Sequence, residues 1–352
     1  MSETVITQVV QISPRIPAPG QIQQAAALLR AGRLVAFPTE TVYGLGANAL
    51  DADAINRIYT AKQRPASDPV IAHIHRVDEL AQLAVDVPDV AYRLAEDFWP
   101  GPLTLVLQRA PNVPANIATG MPTIAVRMPA HPVAVALLTA ANLPIAAPSA
   151  NTFTRPSATT AAHVLEDLDG RVDMILDGGP TTIGLESTVL DLTGAQPVVL
   201  RPGGATLDAL RTLLPDLQIV SRYVDDEATT SPGQMLKHYS PRAQVILFTG
   251  PDKLRVLAAM HAHAEAAQQD NQRVGILIAE SDKDYFPETS AFLEILGDNL
   301  HTISRRLFAG LRALDARGVD LILARDFGQA GLGVALYDRL LRAAEGNVVH
   351  VE

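Results

Sequence analysis

The sequence predicts an α/β protein organised in two domains, and three observations carry that expectation. Strand-like apolar segments alternate with alanine- and leucine-rich helical ones; a polar, irregular stretch from about Val220 to Pro241 separates two such series; and 352 residues exceed what one hydrophobic core usually serves. With 48% hydrophobic and 19% charged residues, the chain can bury a large core and lacks the signature of disorder.

In the first series, Gln21 to Ala31 reads as a helix ended at Gly32, and Leu34 to Phe37 as a short strand running into Pro38. Thr39 to Asn48 is expected to be the loop after that strand. Asp51 is placed to cap a helix with Ile55, Ile58 and Tyr59 at i, i+3, i+4, which should stop near Lys62 because Pro65 follows. Val70 to Val77 reads as a strand with Ile71, His73 and His75 on one face and Ala72 and Ile74 on the other. Further strands are expected at Leu103 to Leu107, Ile124 to Met128, Pro144 to Ala147, Val172 to Leu176, Ser187 to Leu192 and Val198 to Leu200. Helices are expected at Val90 to Phe98, Pro132 to Ala141, Ala158 to Leu168 and Leu207 to Leu214, an order that gives a mixed, partly parallel sheet. Beyond Pro241, strand-like Gln244 to Phe248, Arg273 to Ala279 and Asp320 to Ala324 alternate with helical Asp252 to Gln269, Asn299 to Arg317 and Val334 to Ala344. A small parallel sheet with crossover helices follows.

The chain has no cysteine, which excludes disulfides, thiolate-bound zinc or iron-sulfur clusters, and a cysteine nucleophile. A metal must sit on oxygen or imidazole. The net charge of -10 opposes broad attraction to nucleic acid, although a local basic cavity is compatible with it. The opening MSETVITQVV lacks a basic stretch followed by an apolar block, and no run of about 18 apolar residues occurs, so a cytoplasmic protein that neither is exported nor spans a membrane is expected.

Polar clusters gather where predicted strands end, the edge at which open α/β sheets collect ligands. In PTETVYGLGA, Thr39, Thr41 and Tyr43 offer hydroxyls while Gly44 and Gly46 permit close backbone approach; the same residues suit a turn before a helix. KQRP sets Lys62 and Arg64 at a helix C-terminus, where the dipole favours cations with or without a ligand, and Ser67 and Asp68 follow. His73 reads either as a hydrogen-bonded strand residue or as a ligand contact. Arg127 in AVRMPAH is more pointed, because a buried guanidinium demands an anionic partner. APSAN supplies Ser149 and Asn151, with Arg155 and Ser157 close behind; the helix expected from about Ala158 would suit a phosphate at its N-terminus, and Ser157 would suit its N-cap. ESTV and LRPGG add Ser187, Thr188 and Arg201 at two more strand boundaries. Four cations, many hydroxyls and no nucleophile elbow fit the binding of carboxylate and phosphate groups rather than covalent catalysis. The GxxxxGK[ST] phosphate loop is missing, so a nucleotide site here must be unconventional.

In this order, FPTETVYGLGA, KQRP with its following DP, VRMPAH, APSAN, ESTV, LRPG and the linker SPGQMLKHYSP resemble the YrdC-like family in its long two-domain form, the threonylcarbamoyl-AMP synthases. The resemblance implies a YrdC-like catalytic domain over 1–219 with a deep electropositive cavity on a twisted mixed sheet, a linker at 220–241 over the active site, and a Rossmann-like domain over 242–352. It implies the formation of threonylcarbamoyl-AMP and pyrophosphate from L-threonine, bicarbonate and ATP with Mg²⁺, for downstream proteins that transfer the threonylcarbamoyl group to tRNA. Carried onto matching positions, it places Thr41, His73, Arg127, Ser149 and Ser187 around threonine. Arg64, Asp68, Thr123, Ala147, Asn151, Ser157, Arg201 and Tyr239 are placed around the nucleotide, with Lys62 and Arg64 as the catalytic cations. After APSAN the family usually carries a Ser-Gly pair and then Ser-Pro-Thr, where this chain has Phe153, Thr154, Ser157, Ala158 and Thr159.

Three other readings compete. An RNA-binding, translation-associated module is disfavoured by the net charge and by an aromatic content of 5%, which leaves few stacking platforms. A nicotinamide-dependent oxidoreductase would draw on GLGANA at Gly44 or GQAGLG at Gly328, but neither has the full strand, glycine fingerprint, helix and acid context. A hydrogenase-maturation carbamoyltransferase shares the YrdC-like unit but carries cysteine zinc motifs, which this chain cannot have.

Overall fold

The computed structural model describes residues 5–220, 238–287 and 289–352. Most of the expected linker, residues 221–237, lies outside them. The described residues from 238 onward, together with Thr154–Pro156 and Ile183–Leu185, form one compact unit, and the remaining described residues form the other.

The first unit is built on one mixed sheet. Its strands are β1 (Gln8–Gln11), β2 (Val35–Pro38), β3 (Tyr43–Asn48), β4 (Ile71–His73), β5 (Ala84–Val85), β6 (Leu103–Arg109), β7 (Thr123–Arg127), β8 (Ile145–Ala146), β9 (Met174–Asp177), β10 (Thr188–Asp191), β11 (Val198–Arg201) and β12 (Gln218–Ile219). They lie in the order β1-β9-β2-β3-β8-β4-β7-β6-β10-β11-β12, with β5 paired to β6. Pairs β4–β7 and β6–β10 are parallel whereas β2–β3 and β6–β7 are antiparallel, the mixture expected from the sequence. Helices α1 (Pro19–Arg30), α2 (Ala52–Lys62), α3 (Leu80–Leu83), α4 (Asp89–Phe98), α5 (Pro132–Ala141), α6 (Ala161–Leu168) and α7 (Leu207–Arg211) surround it. Leu29 of α1 and Leu137 of α5 pack with Phe37, Ile145 and Leu176 in a fully buried cluster at one end of the sheet.

Three local expectations are corrected. Thr39 to Asn48 is a tight turn over Thr39–Val42 followed by β3, which pairs antiparallel with β2. The two glycines that resemble loop residues are packing residues: a Cβ on Gly46 would stand 2.8 Å from the Phe37 ring and 2.9 Å from the Ile145 side chain. The strand expected to run to Val77 ends at His73, because His75 and Arg76 turn to donate their backbone N–H groups to the Glu79 carboxylate at 2.9 and 3.3 Å. Helix α6 starts at Ala161 with Thr160 as N-cap, its hydroxyl accepting from His163 N at 3.3 Å, so Ser157 is no cap. By contrast, Asp51 caps α2 as expected, accepting from Asp53 N and Ala54 N, and the helix ends at Lys62.

The second unit holds β13 (Gln244–Thr249), β14 (Val274–Ile278), β15 (Phe292–Ile295), β16 (Leu321–Arg325) and β17 (Val348–His350), all parallel in the order β15-β14-β16-β13-β17. Helix α8 (Lys253–Gln269) covers Ile246, Phe248, Ile276 and Leu323 on one face. On the other, a Cβ added to Gly275 would stand 3.0 Å from Leu314 of α9 (Leu300–Ala316), and one added to Gly310 of α9 would stand 3.0 Å from Leu277. A parallel sheet needs both faces covered in this way. The last helix is α10 (Gly333–Ala343).

Candidate active site

Four side-chain groups, all in the first unit, gather most of the residues expected to bind ligands. The first centres on Arg127, at the C-terminal end of β7. Its Nη2 contacts Glu40 Oε1, its Nη1 donates to Thr41 Oγ1 at 2.9 Å, and its Nε donates to the Gly101 carbonyl at 3.0 Å. Thr39 Oγ1 donates to Val42 O at 2.6 Å, which spends its only proton, so the 2.8 Å contact between the two hydroxyls is donated by Thr41. That leaves the Thr41 oxygen to accept from Arg127. His73 is the register partner of Arg127 across β4–β7 and is buried, with no hydrogen-bond partner for Nδ1 among the described residues. Burial, and then the Arg127 charge, lower its pKa to about 3, so the ring is neutral at physiological pH.

The second group binds the APSAN segment to the end of α2. Lys62 is buried, and its Nζ donates to the carbonyls of Ser149 and Asn151, each at 2.5 Å. Lys62 O in turn accepts from Phe153 N at 2.9 Å. Ala147 N donates to Ile71 O at 2.8 Å, and Ser149 bridges to Gly44, so this segment touches both β4 and the β2–β3 hairpin. The third group is the buried pair of Arg64 and Asp68, 2.9 Å apart, in which Arg64 also donates to the Asp68 and Pro69 carbonyls at 3.0 and 2.7 Å.

The fourth group lies at β10 and β11. Arg201 donates from Nη2 to the Ser187 carbonyl at 2.9 Å and to its hydroxyl at 3.2 Å, and Ser187 Oγ shares a 2.7 Å hydrogen bond with Thr104. Thr104 is opposite Arg127 in the β6–β7 ladder, which joins this group to the first. Ser157 donates to Glu186 Oε1 at 2.5 Å, next to Ser187.

Thr41, His73, Arg127, Ser187 and Arg201 are thus brought together, and Lys62, Ala147, Ser149 and Asn151 form an adjoining group. Thr123 is at the opposite end of β7 from Arg127 and outside the Arg127 group. Tyr239 belongs to the second unit, fully buried, with its ring 5.2 Å from Phe308 and the Arg339 guanidinium 5.2 Å above it. The sequence reading missed Glu40 and Thr104. Glu40 had a signal, since it lies between two threonines of a marked cluster and Arg127 demanded an anion. Thr104, inside the apolar run LTLVL, had none.

Residues 27–203 match a family model described as "Telomere recombination", and residues 205–345 match one described as "Threonylcarbamoyl-AMP synthase, C-terminal domain". The threonylcarbamoyl-AMP synthase of Pyrococcus abyssi is 43% identical over 349 residues, which is 98% of this chain and 100% of the relative. The chain belongs to the threonylcarbamoyl-AMP synthase family. The Bacillus subtilis synthase is 42% identical over 94% of each chain. The crystal structure of Pyrococcus abyssi Sua5 complexed with L-threonine superposes with a TM-score of 0.92 at 42% identity, covering 99% of this chain and all of that one. The cations of the site described come from separate strand and helix ends.

Proposed function

We propose that this chain is a threonylcarbamoyl-AMP synthase that joins L-threonine, bicarbonate and ATP into threonylcarbamoyl-AMP and pyrophosphate, the activated species that downstream proteins transfer to tRNA. The observation that carries the reading is the Arg127 group with the Ser187 group joined to it: a buried guanidinium, the hydroxyls of Thr41 and Ser187, and a neutral imidazole. Such a group suits the carboxylate and hydroxyl of a small amino acid, and the Pyrococcus abyssi relative is described as a complex with L-threonine.

In the reaction, bicarbonate first loses hydroxide to give carbon dioxide, and the threonine amine attacks that carbon and gives up a proton, which leaves with the hydroxide as water. A carbamate oxygen then attacks the α-phosphorus of ATP while the bond to the β-phosphate oxygen breaks and pyrophosphate leaves. Carbamates revert readily, so holding the intermediate beside the nucleotide is the main task, and positioning of this kind can supply about 7–11 kcal/mol of the barrier. Arg127, Thr41, His73, Ser149 and Ser187 hold threonine. Arg64, Asp68, Thr123, Ala147, Asn151, Ser157 and Arg201 serve the nucleotide, and Lys62 and Arg64 offset charge developing on the phosphates. Among the described residues no cluster of three or more His, Asp and Glu forms a metal site. Mg²⁺ is expected to accompany ATP as the counterion of its phosphates.

Pyrophosphate release is expected to need L-threonine, bicarbonate and Mg²⁺ together. Equal release in buffer freed of carbon dioxide would make the protein an ordinary amino-acid adenylating enzyme and sink the reading.

A further inference from the structure

We infer that Glu40 is a positioning residue for the amino-acid substrate, acting through Arg127; this rests on the reading of Arg127 as the partner of the threonine carboxylate. Glu40 lies in the turn between β2 and β3, 7% exposed, and its two oxygens do different things. Oε1 meets Arg127 Nη2, and Oε2 accepts from Ala130 N at 3.0 Å. The carboxylate therefore spans the chain on both sides of Met128–Pro129 and ties the hairpin turn to the exit of β7. With Nε on the Gly101 carbonyl and Nη1 on Thr41, the guanidinium is gripped through all three nitrogens from two segments, the turn that carries Glu40 and Thr41 and the chain at Gly101. Those contacts use three of its five N–H groups and leave two to receive a carboxylate in one fixed plane.

Charge supports the same role. The Arg127–Glu40 pair is neutral overall, so a zwitterionic amino acid enters without adding net charge to a buried site, and Arg127 is held in place before the substrate arrives. A merely structural ion pair would affect threonine and ATP alike. A positioning residue acts on threonine alone.

Glu40→Gln tests this with little change in volume. Its amide offers one acceptor oxygen, so either Arg127 or Ala130 N must face an NH₂ group. The expected result is a threonine KM raised about tenfold, with ATP KM within about twofold of wild type and most of kcat recovered at saturating threonine. Glu40→Asp keeps the charge but withdraws it by one methylene, and it is expected to raise the threonine KM likewise. The inference is overturned by a threonine KM within about twofold of wild type in both variants, or by an ATP KM that rises in step. Wild-type enzyme in the same assay separates the two levels: if it releases pyrophosphate without threonine, the underlying reading fails rather than this one.

Discussion

A histidine buried without a partner for one ring nitrogen is held neutral at a cost that depends on pH, and His73 is such a residue. In the unfolded chain it takes up a proton near pH 6.5, whereas in the folded chain it resists until about pH 3. The unfolded state therefore binds more protons between those values, and the contribution of this residue is unchanged at neutral pH and lost as pH falls through that window. The slope is about 1.4 kcal/mol per pH unit. Urea unfolding of wild type and His73→Gln at neutral and mildly acidic pH is expected to show a shallower acid loss in the variant, and parallel curves would contradict the account. At this scale the residues marked in the sequence include Thr41, His73, Arg127, Ser187 and Arg201, which the fold brings together. What the sequence could not supply was pairing. Arg127 demanded an anion, but only the fold showed that Glu40, 87 residues earlier, provides one.

Among the elements, those with a local cause were legible. Helix α2 was readable from Asp51 to Lys62 because a cap, an apolar face and a following proline all act within the helix itself. Strand β3 was not, since Gly44 and Gly46 are there to let Phe37, Ala147 and Ile145 approach, and those contacts are made across the sheet. Gly203 is a second case of the same kind. A Cβ there would lie 2.4 Å from Glu186 O, 2.5 Å from Ser187 C and 2.5 Å from Thr188 N, all of them backbone atoms that cannot swing aside. Gly203→Ala is expected to destabilise by about 1–3 kcal/mol and to shift the segment that carries Glu186 and Ser187. Thermal melts together with threonine and ATP KM values check both parts; a variant with wild-type melting and kinetics would show that the segment has room to spare.

Across the whole molecule, the chain is two compact units whose membership does not change at one point in the sequence. Thr154–Pro156 belongs to the second unit, in which Arg312 donates to the Pro156 carbonyl at 2.6 and 3.1 Å and Arg155 pairs with Asp315 at 3.2 Å. A chain ended near Val220 strips that segment of its partners just before Ser157, and it is expected to melt lower and bind substrates more weakly than the full chain. Ending after Arg242 restores Tyr239 but not Phe308 or Arg339, which hold its ring, so this second shortened chain is expected to recover little activity. Steady-state rates for both decide this: strong recovery after Arg242 would show that Tyr239 serves the nucleotide from the linker alone. By itself the sequence determined the α/β alternation, the parallel second sheet and the inventory of cations and hydroxyls, because periodicity, caps and composition are local properties of the chain. Only the tertiary structure decided that Glu40 answers Arg127, that Thr104 joins Ser187, and that two short N-terminal segments belong with the second unit. Hydrogen bonds and ion pairs between residues far apart in sequence depend on sheet order and register, which local pattern does not encode.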